Sequence, residues 1–280
     1  MDCQDVLKKL IFFKHFFCGS ADNVNMPVPS VSYKNAPIFI FNADCSYNMP
    51  ARLDFDGNKN LHDNAQSLEK LLKGGKELVP TVYTKTKESK THYFVTYYLY
   101  YPKDMGVNCT GLFTAHDNDA SSLVIIVRKK KASQPEKIEW LVTADHGNKT
   151  AIKPENLVFK KGHPLVQIVN GTHGMFAINE EGVSRLSSES ALVVDNSLTQ
   201  LNHLVNASKL YQLKKAEEIE ALKGNSKVFQ CNEETPKKCD QFVGSRGAWA
   251  PWARQLGYTD PIENFRYLYP NAKEDEYASK

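Results

Sequence analysis

Short stretches of apolar residues, separated by polar and turn-forming residues, recur along the chain and are typical of β-strands. β-branched and aromatic residues are frequent in these stretches, and Asn170-Gly171-Thr172 separates the last two like a hairpin turn. Six of the ten residues in His92–Tyr101 are aromatic, so we expect both faces of that strand to be covered. The pattern predicts strands at 36–41, Thr81–Thr84, His92–Tyr101, 121–128, 137–144, 164–169 and 173–178.

Two other stretches have helical spacing. Asp63 and Gln66 have the spacing of a capping box, and leucines follow at helical intervals before Gly74. Residues 207–223 are rich in Ala, Lys, Glu and Leu and precede Gly224. We therefore predict a mainly β protein, an antiparallel, jelly-roll-like β-sandwich with about two peripheral helices. Residues 22–280 contain no repeat or low-complexity linker and are predicted to form a single elaborated domain.

Residues 1–21 have the outline of a secretory leader. Lys8 and Lys9 precede a short apolar run, and Gly19 and Ala21 have the small-residue spacing of a cleavage site. The alternative is a partly buried N-terminal helix. No later apolar run reaches about 18 residues, the length that suggests a membrane span. The leader predicts a secreted or extracytoplasmic protein.

The cysteines favour the same compartment. Six are present, and four remain after residue 21, an even number. Cys231 and Cys239 bracket a short polar segment suited to a disulfide loop, with free thiols in a reducing compartment as the alternative. Cys109 lies seven residues before His116, so proximity alone suggests a Cys–His nucleophile.

The charge balance argues against a nucleic-acid partner. The chain has 35 Lys and Arg residues against 32 Asp and Glu residues, a net charge of +3. The basic run Arg128–Lys131 can attract phosphate or an anionic membrane, although at a hairpin tip such a run is more often a solvated edge.

Pairing of strands 121–128 and 137–144 gathers histidines and carboxylates. This hairpin places His116 opposite about residue 148, so the run 116–119 meets Asp145-His146, and His163 begins the next strand. Imidazole and carboxylate groups together suit a divalent metal or acid–base chemistry. The predicted metal ligands are His116, Asp117, Asp119, Asp145, His146 and His163, and the candidate catalytic residues are His116, Asp119 and His146.

Each candidate also has a structural interpretation. The run 116–119 is equally typical of a solvated turn, and His163, which precedes a proline, can simply enter a strand. His92 is expected to be a hydrogen-bonded core histidine. Because His173 follows the Asn170-Gly171 turn, we expect it about 20 Å or more from the site.

An ordered series of short motifs resembles a family related to the fungal vacuolar protein sorting-associated protein sixty-two. That resemblance implies a β-sandwich-like domain, often secreted, with a poorly defined activity. The motifs are Ala36-Pro-Ile-Phe39, Leu53-Asp-Phe-Asp-Gly57, Val79-Pro-Thr-Val-Tyr83, Thr91-His-Tyr-Phe94, Tyr100-Tyr-Pro-Lys-Asp104, His116-Asp-Asn-Asp119, Asp145-His-Gly147, Gly162-His-Pro-Leu165, Gly171-Thr-His-Gly174 and Gly247-Ala-Trp-Ala-Pro-Trp252.

The chain more distantly resembles the necrosis- and ethylene-inducing cytolysins. That family has a His-Asp-Trp-Glu motif beside a divalent-metal site on a β-sandwich and binds membrane sphingolipid head groups. The resemblance makes His116 and Asp119 the best-matched site positions. Here Ala120 and Ser121 stand where that family tends to have Trp-Glu, which removes a potential ligand or base.

Three functions fit these features. The first is a toxin- or virulence-like β-sandwich with a His/Asp site for a divalent metal or polar ligand, acting on a membrane lipid, glycan or host surface. The second is a metal-assisted hydrolase, in which His116, Asp119 and His146 hold the metal. The third is an interaction protein with a vestigial site. The sequence does not decide whether the protein is an enzyme.

Overall fold

The predicted strands form most of the structure. The computed structural model describes residues 28–216, except 43, 59–60, 62, 112–114, 146–147, 187–188, 195–203 and 206, and also residues 268, 269 and 271. The strands in these ranges are β1 Ile38–Phe41, β2 Thr81–Glu88, β3 His92–Asp104, β4 His116–Arg128, β5 Lys137–Asp145, β6 Asn148–Ile152, β7 Phe159–Lys160, β8 His163–Ile168, β9 Met175–Ala177, β10 Ser190–Val194 and β11 Ala207–Lys215. The α-helices there are α1 Ser30–Lys34, α2 Asn64–Lys73 and α3 Glu180–Val183.

The strands form one continuous hydrogen-bonded sheet, which curls so that its two parts pack against each other. Their order is β6-β5-β4-β3-β2-β11-β10-β1-β8-β7, with β9 paired to β8. Buried side chains of β2–β5 share one core with those of β1 and β8–β11, and β9 packs across onto β4 and β5. The mainly β, sandwich-like prediction is confirmed. The sheet is mixed, because β1–β8, β10–β11 and β11–β2 are parallel pairs.

Strand β3 is covered on both faces, as its aromatic content predicts. Tyr97 and Tyr101 lie in the core between the layers, whereas Tyr98 and Tyr100 lie in a second cluster with Leu68 of α2. The alternation of side chains along the strand thus sends successive tyrosines to opposite faces.

Helix α2 is confirmed at the predicted position. Asp63 is its N-cap residue, but the Asp63 side chain makes no capping hydrogen bond, so the capping box is not formed. Leu68 is fully buried against the sheet, and Gly74 follows the last turn.

The helix predicted at 207–223 is wrong over its first nine residues, which form β11. Tyr211 and Leu213 are buried while Leu210 and Gln212 are exposed, the two-residue period of a strand. Local helix propensity is overridden because β11 pairs with both β2 and β10, and this burial outweighs the intrinsic preference of the segment.

Two details of the predicted pairing differ from the structure. The β4–β5 hairpin forms, but Ile125 faces Leu141, two residues from the expected register. Strand β8 does not neighbour β5. It pairs with β1 and lies in the other layer, because the connection after β6 crosses the sandwich.

Several predicted features lie outside the described residues. These are the leader at 1–21, the cysteine pair 231 and 239, and the Trp-containing segment 247–252. Among the described residues, no helix has the length and hydropathy needed to cross a membrane.

Candidate metal centre

Three segments meet at the end of the sandwich where β3 ends and β4 begins. Asp104 is the last residue of β3, Asp119 lies near the start of β4, and His173 lies in the turn between β8 and β9. Each offers one ligand atom, and these atoms lie within 4.8 Å of one another. We call these three residues the cation cluster.

The side chain of His173 is held by a ring stack and by a polar contact at each ring nitrogen. Its ring is fully buried and stacks on Tyr101, with the ring centroids 3.7 Å apart and the planes 2° from parallel. Nδ1 lies 2.8 Å from Oδ2 of Asp119, and Nε2 lies 3.2 Å from the carbonyl oxygen of Tyr47. The backbone of His173 has a φ of 56°, in the left-handed region that non-glycine residues seldom occupy.

The two ring nitrogens of His173 have different partners. Nε2 faces the Tyr47 carbonyl oxygen, which only accepts hydrogen bonds, and Nδ1 faces the Asp119 carboxylate. A metal-ligating histidine commonly donates its other ring N–H to a carbonyl oxygen, so a ring with its hydrogen on Nε2 would present Nδ1 to a cation beside Asp119.

A change of face near the end of β3 brings Asp104 into the cluster. Tyr101 points into the core between the layers, but Lys103 points to the opposite face, where its Nζ lies 2.6 Å from Glu69 of α2. Residues two apart on a regular strand share a face, so the alternation shifts at Pro102. Asp104 is therefore buried, and its Oδ1 accepts a 2.5 Å hydrogen bond from the Gly106 backbone.

A buried polar network holds the start of β4. Asn118, opposite Pro102, has a φ of 58°. Its Oδ1 accepts a hydrogen bond from the Tyr100 hydroxyl, and its Nδ2 donates to the Leu61 carbonyl at 2.9 Å. The side chain of Asn64 also donates to the Tyr100 hydroxyl. These bonds fix the backbone next to Asp119, since a buried polar group left unpaired is costly.

A disulfide and a close glycine contact hold the loop after β3. Cys45 and Cys109 are bonded, with Cα atoms 5.9 Å apart and a sequence separation of 64 residues. Because Cys109 is disulfide-bonded, it is not the free thiol that a Cys–His nucleophile would need. A Cβ on Gly171 would lie 2.0 Å from the Gly106 carbonyl oxygen, so only glycine fits there. The Asn48 side chain accepts a hydrogen bond from the Gly171 backbone.

The donor set fits a divalent cation. Two carboxylates and one imidazole suit manganese, magnesium, iron or zinc, and three protein ligands leave coordination positions open for water or a polar ligand.

The structure brings only part of the sequence-predicted set to this site. Asp119 is in the cluster, and the backbone of His116 pairs with Asp104 across β3 and β4. Asp117 is exposed and pairs with Lys103. Asp145 ends β5, while the side chains of His116 and Asp145, and all of His146, lie outside the description.

His163 lies elsewhere. It begins β8, at the opposite end of that strand from the turn that carries His173, and its Nδ1 is 2.7 Å from the Ala36 carbonyl oxygen.

Sequence reasoning missed Asp104 and His173. The expectation that His173 lies far from the site is wrong, because β8 belongs to the other layer and its end meets the start of β4 across the sandwich. Both residues stand in motifs of the ordered series, Tyr100-Tyr-Pro-Lys-Asp104 and Gly171-Thr-His-Gly174. These motifs are the sequence signal for both positions.

The fold and the cluster describe a β-sandwich protein with a candidate cation site at one end, and comparison with known proteins identifies its family. The sequence model of a family described as necrosis inducing protein (NPP1) matches residues 36–225. The chain belongs to this family. The toxin- and virulence-like class expected from the sequence is thereby supported.

Two solved structures are similar at low identity. One is the crystal structure of the non-toxic HaNLP3 protein, with 14% identity, a TM-score of 0.36, and coverage of 55% of this chain and 70% of that chain. The other is Necrosis and Ethylene inducing Protein 2 from the causal agent of cocoa's Witches Broom disease, with 12% identity, a TM-score of 0.40, and coverage of 84% and 90%. No curated protein matches. None of these findings supports the resemblance to the vacuolar sorting family.

Proposed function

We propose that this protein is a secreted, toxin-like protein that binds a divalent cation at the cation cluster and uses it to engage a polar group on a host surface. Family membership supports the toxin-like class. The convergence of Asp104, Asp119 and His173 carries the metal proposal, because their three ligand atoms lie within 4.8 Å of one another and the second ring nitrogen of His173 faces a backbone carbonyl, as is common in metal-bound histidines.

The open coordination positions explain how a cation would recognise a surface. A cation held by three protein groups can accept further oxygen ligands, such as the phosphate or hydroxyl groups of a membrane lipid or the hydroxyls of a glycan. The protein groups would position the cation, and its remaining positions would select an oxygen-rich ligand.

The proposed site extends beyond the three described side chains. We include His116 because it lies opposite Asp104, at the distance of a cross-strand pair. Asp117 on β4, Asp145 at the end of β5, and His146, which follows Asp145 in sequence, are proposed as an outer group of the site. His163 is not included, because it lies at the far end of β8.

Secretion is proposed on two grounds. Residues 1–21 have the leader outline, and the Cys45–Cys109 disulfide is typical of proteins in oxidising compartments. Expression of the full chain in a secretory host tests this: we expect medium-borne protein whose N-terminus begins near residue 22. Retention of the intact chain in the cytosol would contradict the proposal.

Titration calorimetry with manganese, calcium, magnesium and zinc tests cation binding. We expect Asp119→Asn to weaken binding by at least about tenfold, since removal of one charged ligand removes both charge and a donor. The matched control is Glu181→Gln, which makes the same chemical change at an exposed residue of α3. Equal affinity of the wild type and Asp119→Asn for every metal would contradict the metal site.

A second readout tests the surface partner. Lipid and glycan arrays are probed with the wild type, with and without chelator, and with Asp119→Asn. We expect a ligand whose binding is lost both with chelator and in the variant. Binding that changes neither with chelator nor in Asp119→Asn would show that the surface partner is recognised without the cation.

The same open positions favour a second candidate, a metal-assisted hydrolase. A metal with three protein ligands and a bound water is a common hydrolytic arrangement. Release of a cleaved product from the ligand found on the arrays, lost in Asp119→Asn, would identify this activity. Recovery of the ligand intact would leave the binding function.

A further inference from the structure

The end of the sandwich opposite the cation cluster carries a concentration of positive charge. It consists of residues 85–91, at the β2–β3 turn, and residues 128–139, at the β4–β5 turn, which together we call the basic end. These residues include eight Lys and Arg side chains and three Glu side chains, a net charge of +5, whereas the whole chain has +3. The rest of the chain is therefore net negative.

The two hairpin tips form one continuous surface. The backbone of Lys129 donates a hydrogen bond to the Thr91 carbonyl at 2.8 Å, which fixes the tips side by side. Lys87, Lys130 and Lys131 are exposed there. The two tips therefore present their lysines together.

The acidic residues of the basic end are already neutralised by ion pairs. Glu88 pairs with Lys129 at 2.6 Å and Glu139 with Arg128 at 3.0 Å. Glu136 pairs at 2.7 Å with Lys34 of α1, a cation from outside the two tips. The potential at this end is thus set by the excess of lysines.

A tyrosine ring lies at the base of the two turns. Lys129 Nζ is 4.7 Å from the ring centroid of the half-buried Tyr93 and pairs with Glu88, so this lysine is held against the sheet. The exposed Lys87, Lys130 and Lys131 are the ones that a charged surface can reach.

We propose that the basic end binds an anionic phospholipid bilayer by electrostatic attraction, independently of the cation cluster. A bilayer fits better than a polysaccharide chain because the lysines stand on two projecting turns, which suit contact with an extended charged surface. Strand β3 runs from one end to the other over 13 residues, so the two surfaces are about 40 Å apart. A protein bound through its basic end therefore holds the cation cluster away from that bilayer.

Co-sedimentation with vesicles tests the proposal on the full chain, with chelator present throughout so that the cation cluster does not contribute. Phosphatidylcholine vesicles are compared with vesicles containing about 30% phosphatidylserine, at about 50 and 300 mM salt. We expect binding only to the phosphatidylserine vesicles, with a loss of at least about fivefold at the higher salt, because screening shortens the reach of surface charge.

The decisive variant is Lys87→Glu/Lys130→Glu/Lys131→Glu. Its matched control is Lys70→Glu/Lys73→Glu/Lys76→Glu, which reverses three exposed lysines on and just after α2 and gives the same net charge. We expect the first variant to lose about tenfold or more in vesicle affinity and the control to stay within about threefold of the wild type.

Three outcomes would overturn the proposal. These are no preference for phosphatidylserine in the wild type, an equal loss in the two triple variants, and binding to an acidic polysaccharide but not to vesicles. Circular dichroism and melting of both variants establish that each is folded. If the tip variant does not fold, single reversal of Lys130, at the exposed tip, is measured instead and is expected to lose about threefold.

Discussion

The two ends of the sandwich differ in how the chain builds them. The basic end comes from two hairpins whose strands are neighbours in sequence, and its charges lie on their turns. The cation cluster takes Asp104, Asp119 and His173 from three segments and is held by a disulfide that joins two more distant loops. One end thus depends on local pairing and the other on the whole fold, so a change to a long-range contact should affect them unequally.

The largest expected effect comes from removing the disulfide. Cys45→Ser/Cys109→Ser opens a link that spans 64 residues, and loop closure of that length contributes about 4 kcal/mol to the free energy of unfolding. We expect urea unfolding at a lower midpoint and loss of metal affinity, with vesicle binding by the basic end retained in the folded fraction. Metal affinity equal to that of the wild type would contradict the role of the disulfide in holding the cluster.

Gly171→Ala should have the next largest effect. The added Cβ would clash with the Gly106 carbonyl oxygen at 2.0 Å, and the φ of +83° is strained for alanine, so we expect a loss of about 3 kcal/mol by urea unfolding. Gly162→Ala is the matched control, with a φ of +86° but no atom within 4 Å of the new Cβ. It should lose only about 1 kcal/mol. Equal losses would show that backbone strain, and not the contact between loops, decides the effect.

Tyr100→Phe should cost about 1–3 kcal/mol of unfolding free energy, because Asn118 and Asn64 lose a shared hydrogen-bond partner. It should also weaken metal binding, since Asn118 adjoins Asp119. Tyr97→Phe is the control: that hydroxyl donates to the Ser32 carbonyl, away from the cluster. We expect the two variants to lose similar amounts of unfolding free energy. Metal affinity should be reduced only in Tyr100→Phe. A reduction in both variants would contradict a specific role for the network.

The smallest effect concerns pH and the basic end. Burial lowers the pKa of His92 below its ordinary value of 6.5, although the hydrogen bond to Glu139 acts in the opposite direction. The unfolded chain therefore takes up this proton first, so stability is full above pH 6.5 and falls as the pH drops towards the lowered pKa.

Glu139 adds to the loss at lower pH. Burial alone would raise its pKa, but hydrogen bonds from Tyr269 and His92 outweigh burial and hold the pKa below 4.5, so the contribution of Glu139 to stability is lost as the pH falls below that value.

For His92, we expect the melting temperature of the wild type to fall by about 2–4 °C between pH 7 and pH 5. His92→Gln should reduce this dependence of the melting temperature on pH. Identical slopes in the two proteins would contradict the assignment to His92.

The contrast between local pairing and long-range contacts also determines which features the sequence predicts. The β4–β5 hairpin and α2 follow from apolar runs, the polar loop between them and leucine spacing within short windows. Asp119 was found because it stands in a dense run of polar residues. His173 could not be placed, since its position depends on β8 pairing with β1 in the other layer, a contact between segments far apart in sequence. β11 was missed because burial between β2 and β10 overrides its local helix propensity.

The central claim is that Asp104, Asp119 and His173 hold a divalent cation. Crystals of the full chain grown with manganese and measured at a wavelength where manganese scatters anomalously would locate it directly. The account predicts an anomalous peak about 2.2 Å from a carboxylate oxygen of each aspartate and from Nδ1 of His173. A crystal in which the cluster has no peak, while manganese binds elsewhere on the protein, would contradict it.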